Sequence, residues 1–460
     1  MSLTRPREPI RGRVALLAVA YALLVLLQRS AEATSLSLFL DHLGAKRLPE
    51  TFVAVSLIDV PLAFAYMYLA RHLNRRWFLV GLGGALVGVL AGARLLSILD
   101  PGWGLFVAYL GAATLGTFLV IHWGVLLLDA FTIDESRRAF PLVYAGGHVG
   151  SFLAGAAMQL AGSWAVKDLL VAIPGVSLMG LAVTMVLLGR QTEGREVRRD
   201  LVVRPSAAAG AKAWKNLSLL SASPLLRVIA ASTTLMVLLR LCLRFLYGHE
   251  LETAFTTSAS LARFVGGYTM VASVIGMTLQ LFATPRLLRA LGVGKLNLAY
   301  SGAVLLSIVG LLGAPGIYAA TGARFADLEL KDAIKTPLSA MFYDALGYDQ
   351  RADARAIILG IVSPFASLGS SLLLVVFTKV HAPVGVLGWA AFVVGFAYLG
   401  LSWWQARAYR TSLHSELLGW ARVAMGDPNI SIDQAVEAAR RCEDLRIVDM
   451  AREIRRRRAH

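Results

Sequence analysis

Twelve long apolar spans can be laid along this chain, and the loops between them alternate between basic and nearly uncharged. This pattern restricts the fold more than any short motif does. Lipid offers no partner to backbone N–H and C=O groups, so a chain whose solvent is the bilayer must satisfy them inside helices of about 20 apolar residues. The spacing places spans near 14–38, 51–70, 77–99, 103–127, 140–164, 168–189, 228–248, 261–283, 294–312, 317–343, 355–378 and 383–405. Charged residues make up 16% of the 460 and hydrophobic ones 57%, whereas a soluble domain is roughly one quarter charged. The expected fold class is an all-α membrane protein with twelve transmembrane helices.

The formal net charge is +16, and the basic residues gather at one set of span ends. They are Arg5, Arg7, Arg11 and Arg13; Arg71, Arg75 and Arg76; Arg137 and Arg138; the run from Arg190 through Lys215; Arg286, Arg289 and Lys295; Arg351 and Arg355; and the C-terminal tail. Opposite them stand Lys46, Arg47, Lys167 and Lys379. By the positive-inside rule the chain is multi-pass in the cell (inner) membrane with both termini cytoplasmic. The charge sets topology rather than lining a groove, so no nucleic acid is expected as a partner. Ala31-Glu32-Ala33 has the form of a signal-peptide cleavage site, but the long apolar run and Arg29 ahead of that site favour a spanning helix. Cys242 lies in a span and Cys442 in the tail, which leaves no disulfide or zinc framework.

Residues 190–224 are polar, basic and rich in Ala, Gly and Ser, and read as a cytoplasmic linker. They separate an N-terminal six-helix bundle, 1–189, from a C-terminal one, 225–406, and a cytoplasmic helical tail follows at 407–460. One ungapped shift of 215 residues aligns Arg29 with Arg244, Arg71 with Arg286, Asp129 with Asp344 and Asp134 with Asp349. The last two pairs bound matching hexamers, Asp129-Ala-Phe-Thr-Ile-Asp134 and Asp344-Ala-Leu-Gly-Tyr-Asp349. Two six-helix pseudo-repeats in parallel are a transporter architecture, with the substrate site at the midplane between halves.

Ionisable side chains inside spans usually face a cavity or a partner, because each costs about 2.5–3.5 kcal/mol at the bilayer centre on insertion scales. Arg29 and Glu32 share a face of the first span, and Arg240 and Arg244 share one of the seventh. Either Glu32 neutralises Arg29 while Arg244 snorkels outward, or these residues form an anion site. In the tenth span Arg324, Asp327, Lys331 and Lys335 step by three, four and four, with Glu329 and Asp332 beside them. The fourth span has no such stripe, so a structural role common to both halves does not explain it. A water-filled cavity is favoured over a self-neutralised ion-pair cluster. Asp59, alone in the second span, is open to three readings: counter-ion, proton carrier or hydrogen-bonded buried acid.

Gly146, Gly147, Gly150 and Gly155 in the fifth span, like Gly84, Gly88 and Gly92 in the third, fit close helix packing better than a dinucleotide loop. In the cytoplasmic loops Arg71, Arg75, Asp129, Asp134 and Arg137, with Arg286, Asp344, Asp349 and Arg351 of the second half, suit a gating latch or plain topology determination. After Arg407 the sequence reads as two or three short helices, with a Ser431–Gln434 capping box and an Arg455–Arg458 end. That tail suits anionic lipid or a protein partner. No catalytic or metal-ligand constellation occurs, so neither an enzyme nor a cofactor is expected.

The segment from Asp129 to Gly150, with its Gly146-Gly147-His-Val-Gly150 helix, resembles the ATP/ADP-translocase-like (nucleotide carrier) branch of the major facilitator superfamily. Gly292-Val293 after Arg286-Leu-Leu-Arg289, and Lys335-Thr-Pro337 before Met341-Phe-Tyr343, resemble the same branch. So do Arg351 and Arg355 downstream, and the position of Arg29 near an acid. The resemblance implies nucleotide exchange or uptake, with basic residues holding phosphates. The combined expectation is a secondary transporter of an anionic solute, a nucleotide or another organic phosphate. Arg29, Arg240, Arg244, Arg324, Lys331 and Lys335 would line its cavity, with Glu32, Asp59 and Asp327 as counter-charges. The competing reading is a non-transporting membrane sensor or scaffold whose tail engages a partner.

Overall fold

The computed structural model describes residues 10–131, 133–160, 166–192, 218–343, 345–346, 348–425, 431 and 434–436. Its first six helices are α1 (Ile10–Leu43), α2 (Leu48–His72), α3 (Arg75–Leu99), α4 (Pro101–Ala130), α5 (Ile133–Leu160) and α6 (Val166–Thr192). Side-chain caps fix where two of them start. Asn74 accepts from the Arg76 N–H at 3.1 Å, and Asp100, followed by Pro101, accepts from the Trp103 N–H at 3.1 Å.

Helix α7 spans Pro224–Ala254. Helix α8 starts as Ser258–Thr278 and passes through a π-helical turn, Leu279–Ala283, into the stretch Thr284–Gly313. That stretch breaks at Gly292 (φ 70°, ψ 172°), and α9 is the part beyond it. The positive φ suits glycine, which has no Cβ to clash. Helix α10 is composite, Ile317–Phe325, a ten-residue π-helix Ala326–Lys335, and Thr336–Tyr343. Helix α11 joins Tyr348–Ile357, a π-turn Ile358–Val362 and Ser363–Lys379, and α12 runs over Val384–Met425.

Among the described residues nine stretches are long and apolar enough to cross a membrane, and one of them, Ser258–Gly313, holds both α8 and α9. The stretches from α5 and α10 fall outside the nine. Helix α5 carries His148 and, in its first turns, Asp134, Glu135, Arg137 and Arg138, and α10 carries six charged residues.

The described helices pack as two units, one drawn from 1–204 and 247–281, the other from 205–246 and 282–460. In the first, α1 lies against α4, α5 and α6, and α8 lies against α5. The small residues of α5 make this approach possible. A Cβ on Gly146 or Gly150 would overlap the Ala18 or Ala22 carbonyl of α1, and one on Gly155 would overlap the Gly266 carbonyl of α8. Beside them Tyr21 stacks on Trp123 with ring centroids 5.1 Å apart. The packing expectation fails for Gly84, Gly88 and Gly92, where nothing lies within 4 Å of a Cβ. The buried stripe of α3 is Leu79, Gly83, Leu86, Leu90 and Ala93, and those three glycines sit off it.

In the second unit α9 packs on α12. The Ser301 and Ser402 hydroxyls meet at 2.5 Å, and Asn297 Nδ2 donates to Gln405 Oε1 at 3.3 Å. Helix α12 does not stop near Arg407. At 42 residues it is about 63 Å long, twice the roughly 30 Å hydrocarbon core. Beyond residue 405 it keeps a buried edge of Ala406, Tyr409, Leu413, Leu417 and Ala421, with Tyr409 edge-on to Phe342 of α10. The start of the tail is therefore packed helix. The capping box forms as expected: Ser431 N–H donates to Gln434 Oε1 at 2.8 Å, and Gln434 N–H to Ser431 Oγ at 3.3 Å. The arginine end lies outside the described residues.

Candidate functional site

The densest group of buried charge lies where α10 meets α7 in the second unit. Asp327 is only 6% exposed and receives two guanidinium groups, Arg324 Nη1 at 3.5 Å and Arg240 Nε at 3.8 Å. Both separations are charge contacts longer than a good hydrogen bond. Asp327 Oδ2 and Arg240 Nε are enclosed without a hydrogen-bond partner, so each keeps directional capacity that a ligand group can use. Nearby on α10, Lys331 Nζ lies 3.1 Å from Asp332 Oδ1, and Asp332 is 47% exposed. Glu329 is also buried.

The π-helix decides this arrangement. Its i→i+5 bonding packs more residues into each turn than an α-helix does, so residues four apart fall short of a full turn. A stripe read at α-helical spacing then fans out. Thr284 Oγ1 supports the widened backbone by donating to the Ala333 carbonyl at 3.1 Å.

Lys335, at the end of the π-segment, enters a different environment. Its Nζ donates to Asn297 Oδ1 at 2.7 Å and sits 5.7 Å from each ring centroid of Phe342 and Tyr398. Asn297 in turn bonds Gln405, so the ammonium is held by an amide pair and two aromatic faces from α9, α10 and α12. Sequence reasoning passed over Asn297 and Gln405. Their only signal is the placement of uncharged amides inside apolar spans.

The remaining candidates are distributed. In the first unit Arg29 Nη1 pairs with Glu32 Oε2 at 3.6 Å along α1, and Asp59 lies half-buried on α2. Arg244 is half-buried on α7, one turn beyond Arg240. Of the loop residues, Arg75 offers its carbonyl to His122 Nε2 at 2.8 Å, Arg351 Nε donates to the Leu346 carbonyl at 2.9 Å, and Arg286 Nη1 to the Phe282 carbonyl at 3.4 Å. The side chains of Arg71, Asp129, Asp134, Arg137, Asp344 and Asp349 lie outside the described residues.

The second unit also holds an open apolar cavity of about 740 Å³ between α7 and α11, lined by Thr234, Leu238, Phe365, Gly369 and Ser370 among others. Its lining includes none of the ionisable residues above.

No protein-family model matches the chain, and no curated protein is similar to it in sequence. Solved structures are similar in three dimensions. A nucleoside transporter, NupG in a D323A mutant, superposes with a TM-score of 0.61 at 13% identity, covering 87% of this chain and 99% of that one. FucP, a Major Facilitator Superfamily transporter in the outward conformation, gives a TM-score of 0.53 at 13% identity, with 87% and 99% covered. The chain has the major facilitator fold. The inward-open xylose transporter XylE from E. coli agrees, with a TM-score of 0.58 at 14% identity over 86% of this chain and 95% of its own. The major facilitator fold places twelve helices in two six-helix pseudo-repeats, so the chain is a multi-pass membrane protein.

Proposed function

We propose that this chain is a secondary transporter working by alternating access, and that it carries an anionic solute bearing hydroxyl groups, such as a nucleotide or a sugar phosphate. The observation that carries the reading is the convergence of Arg240 and Arg324 on Asp327, with Arg240 Nε and Asp327 Oδ2 enclosed and unbonded. A phosphate or carboxylate matches the planar forks of the two arginines. A hydroxyl beside it would donate to Asp327 Oδ2. Lys331 adds a point charge on the same helix, while Lys335, bonded to Asn297, holds the local field positive from behind. Arg244, one turn beyond Arg240 on α7, belongs to the same proposed site, and Arg29 with Glu32 is a second proposed substrate-binding pair within the first unit.

Carriage rather than catalysis is favoured because the neighbouring structures carrying this fold are described as transporters. Both termini lie in the cytoplasm on this reading, and the basic loops on that side, from Arg71 through Arg137 and from Arg286 through Arg351, serve as the inner gate.

The test is a thermal-shift panel on detergent-purified protein with ATP, uridine, glucose 6-phosphate, glycerol 3-phosphate and xylose, followed by uptake into proteoliposomes. A ligand at one hundred times its Kd stabilises a two-state protein by about 2.7 kcal/mol. A shift with a phosphorylated probe that is lost in Arg240→Ala and Arg324→Ala supports the reading. A shift with uridine or xylose alone removes the anion requirement. Silence from the whole panel in a folded sample, with a partner captured by the tail, favours the scaffold reading.

A further inference from the structure

The outward face of α12 changes character within one turn. Val393, Phe396, Gly400, Trp403, Arg407 and Arg410 step by three, four, three, four and three, so they share one stripe of the helix, and all are exposed. The buried face carries Ser402, Gln405, Ala406 and Tyr409, with Ser402 and Gln405 bonded to α9. The stripe is apolar as far as Trp403 and cationic after it. Trp389 continues it one turn earlier and is exposed as well. From Trp389 to Trp403 the helix rises about 21 Å, which fits inside the roughly 30 Å hydrocarbon core and leaves both indoles near its edges, where tryptophan is favoured.

Both arginines fold back toward the bilayer. Helical side chains lean toward the N-terminus of their own helix, and for α12 that is the membrane-spanning part. Arg407 Cζ lies 3.7 Å from the Trp403 ring centroid, and Arg410 Nε donates to the Ala406 carbonyl at 3.3 Å. Stacking uses the face of the Arg407 guanidinium and leaves its edge donors, and the Arg410 bond leaves both Nη groups. Among the described residues neither arginine is in an ion pair, and α12 carries no Asp or Glu before Glu416. Two forked donors are therefore held at the edge of the core, beside an apolar strip that runs into it.

We propose that this face of α12 binds an anionic phospholipid, with the headgroup phosphate on Arg407 and Arg410 and an acyl chain along Trp403, Phe396 and Val393. Charge selects the occupant. A second copy docked on the same stripe about a two-fold axis would bring these arginines against their own counterparts. A zwitterionic headgroup finds no acid here for its amine. An anionic headgroup meets two cations with nothing to repel it, and the planar forks match its phosphate oxygens. The site depends on the membrane fold and not on what the chain carries, and it is separate from the charge group around Asp327.

The experiment uses the full-length chain in detergent micelles containing diazirine-bearing phosphatidylglycerol or phosphatidylcholine, with crosslinked peptides mapped by mass spectrometry after irradiation. The expected result is about tenfold more label from phosphatidylglycerol between residues 393 and 410, and loss of that excess in the double variant Arg407→Gln with Arg410→Gln. Arg407→Lys with Arg410→Lys keeps the charge without the fork and should retain part of it. Both side chains are exposed, so the variants should melt with the wild type, and the comparison of the two lipids needs no variant. Equal labelling by both lipids, or an excess that the glutamine variant keeps, overturns the proposal. So does displacement of the excess by inorganic phosphate beyond the effect of chloride at equal ionic strength, which marks a site for soluble anions. Crosslinks between copies of the chain at this stripe, in place of lipid label, overturn it in favour of a self-association face.

Discussion

The Glu252 carboxylate, at the end of α7, accepts a hydrogen bond from the Ala45 N–H at 2.8 Å. The bond closes over the turn between α1 and α2, where Gly44 adopts φ 74° and a Cβ would stand 2.8 Å from Glu252 Oε1. Gly44→Ala should therefore lower the melting temperature through both strain and contact, the strain alone being about 1 kcal/mol or more. Glu252→Gln can reach Ala45 only through its amide oxygen and should lower it less. Differential scanning fluorimetry of the two variants and their double mutant checks this. Additive losses would show that the turn and the carboxylate are not coupled.

Gly150 and Gly84 are both glycines within apolar helices, yet they should respond oppositely to a methyl group. Gly150→Ala forces α5 away from the Ala22 carbonyl and should destabilise the first unit by about 1–3 kcal/mol. Gly84 has nothing within 4 Å, and Gly84→Ala should be neutral or slightly stabilising. Fluorescence-detected size exclusion after graded heating distinguishes them.

Asp327 is shared by two arginines, so its loss differs from the loss of either one. Asp327→Ala leaves Arg324, 10% exposed, without that carboxylate, and breaking such a buried pair costs about 3–5 kcal/mol. Arg240 is 36% exposed, so Arg240→Ala should cost less stability while removing anion binding. Parallel melting curves and ligand-shift titrations test the split. Equal stability losses would contradict it.

Lys335→Met keeps the aliphatic stem between Phe342 and Tyr398 but withdraws the donor from Asn297 Oδ1. An unmet buried acceptor costs about 1–3 kcal/mol. The triple variant Lys335→Met with Asn297→Leu and Gln405→Leu, which removes the Asn297–Gln405 amide pair as well, should recover part of that loss, measured by the same melting curves. Failure to recover would mean that the ammonium acts on something other than the amide.

Much of the fold was legible because it is imposed by the solvent. Span length and the apolar-to-polar rhythm follow from backbone groups that lipid cannot satisfy. The close-packing glycines of α5 and the Ser431–Gln434 box were legible for a similar reason, since each acts through residues within a turn or two of its own. Part of the site was also legible, because Arg240, Arg324 and Asp327 stand out as charges in apolar spans.

Other features were not. Spacing suggested one stripe from Arg324 to Lys335, but the π-helix between them turns at a different rate and sends Lys335 to Asn297. Gly84, Gly88 and Gly92 have the small-residue spacing without a partner helix. The twelfth helix passes Arg407 because Tyr409, Leu413 and Leu417 find apolar neighbours, which composition after Arg407 does not show. The sequence by itself determined that this chain crosses a bilayer many times and which charges must be sheltered there, since both follow from the cost of desolvating single groups. Which charge meets which was decided only by the tertiary structure, because pairing depends on helix rotation and contact between segments far apart in the chain.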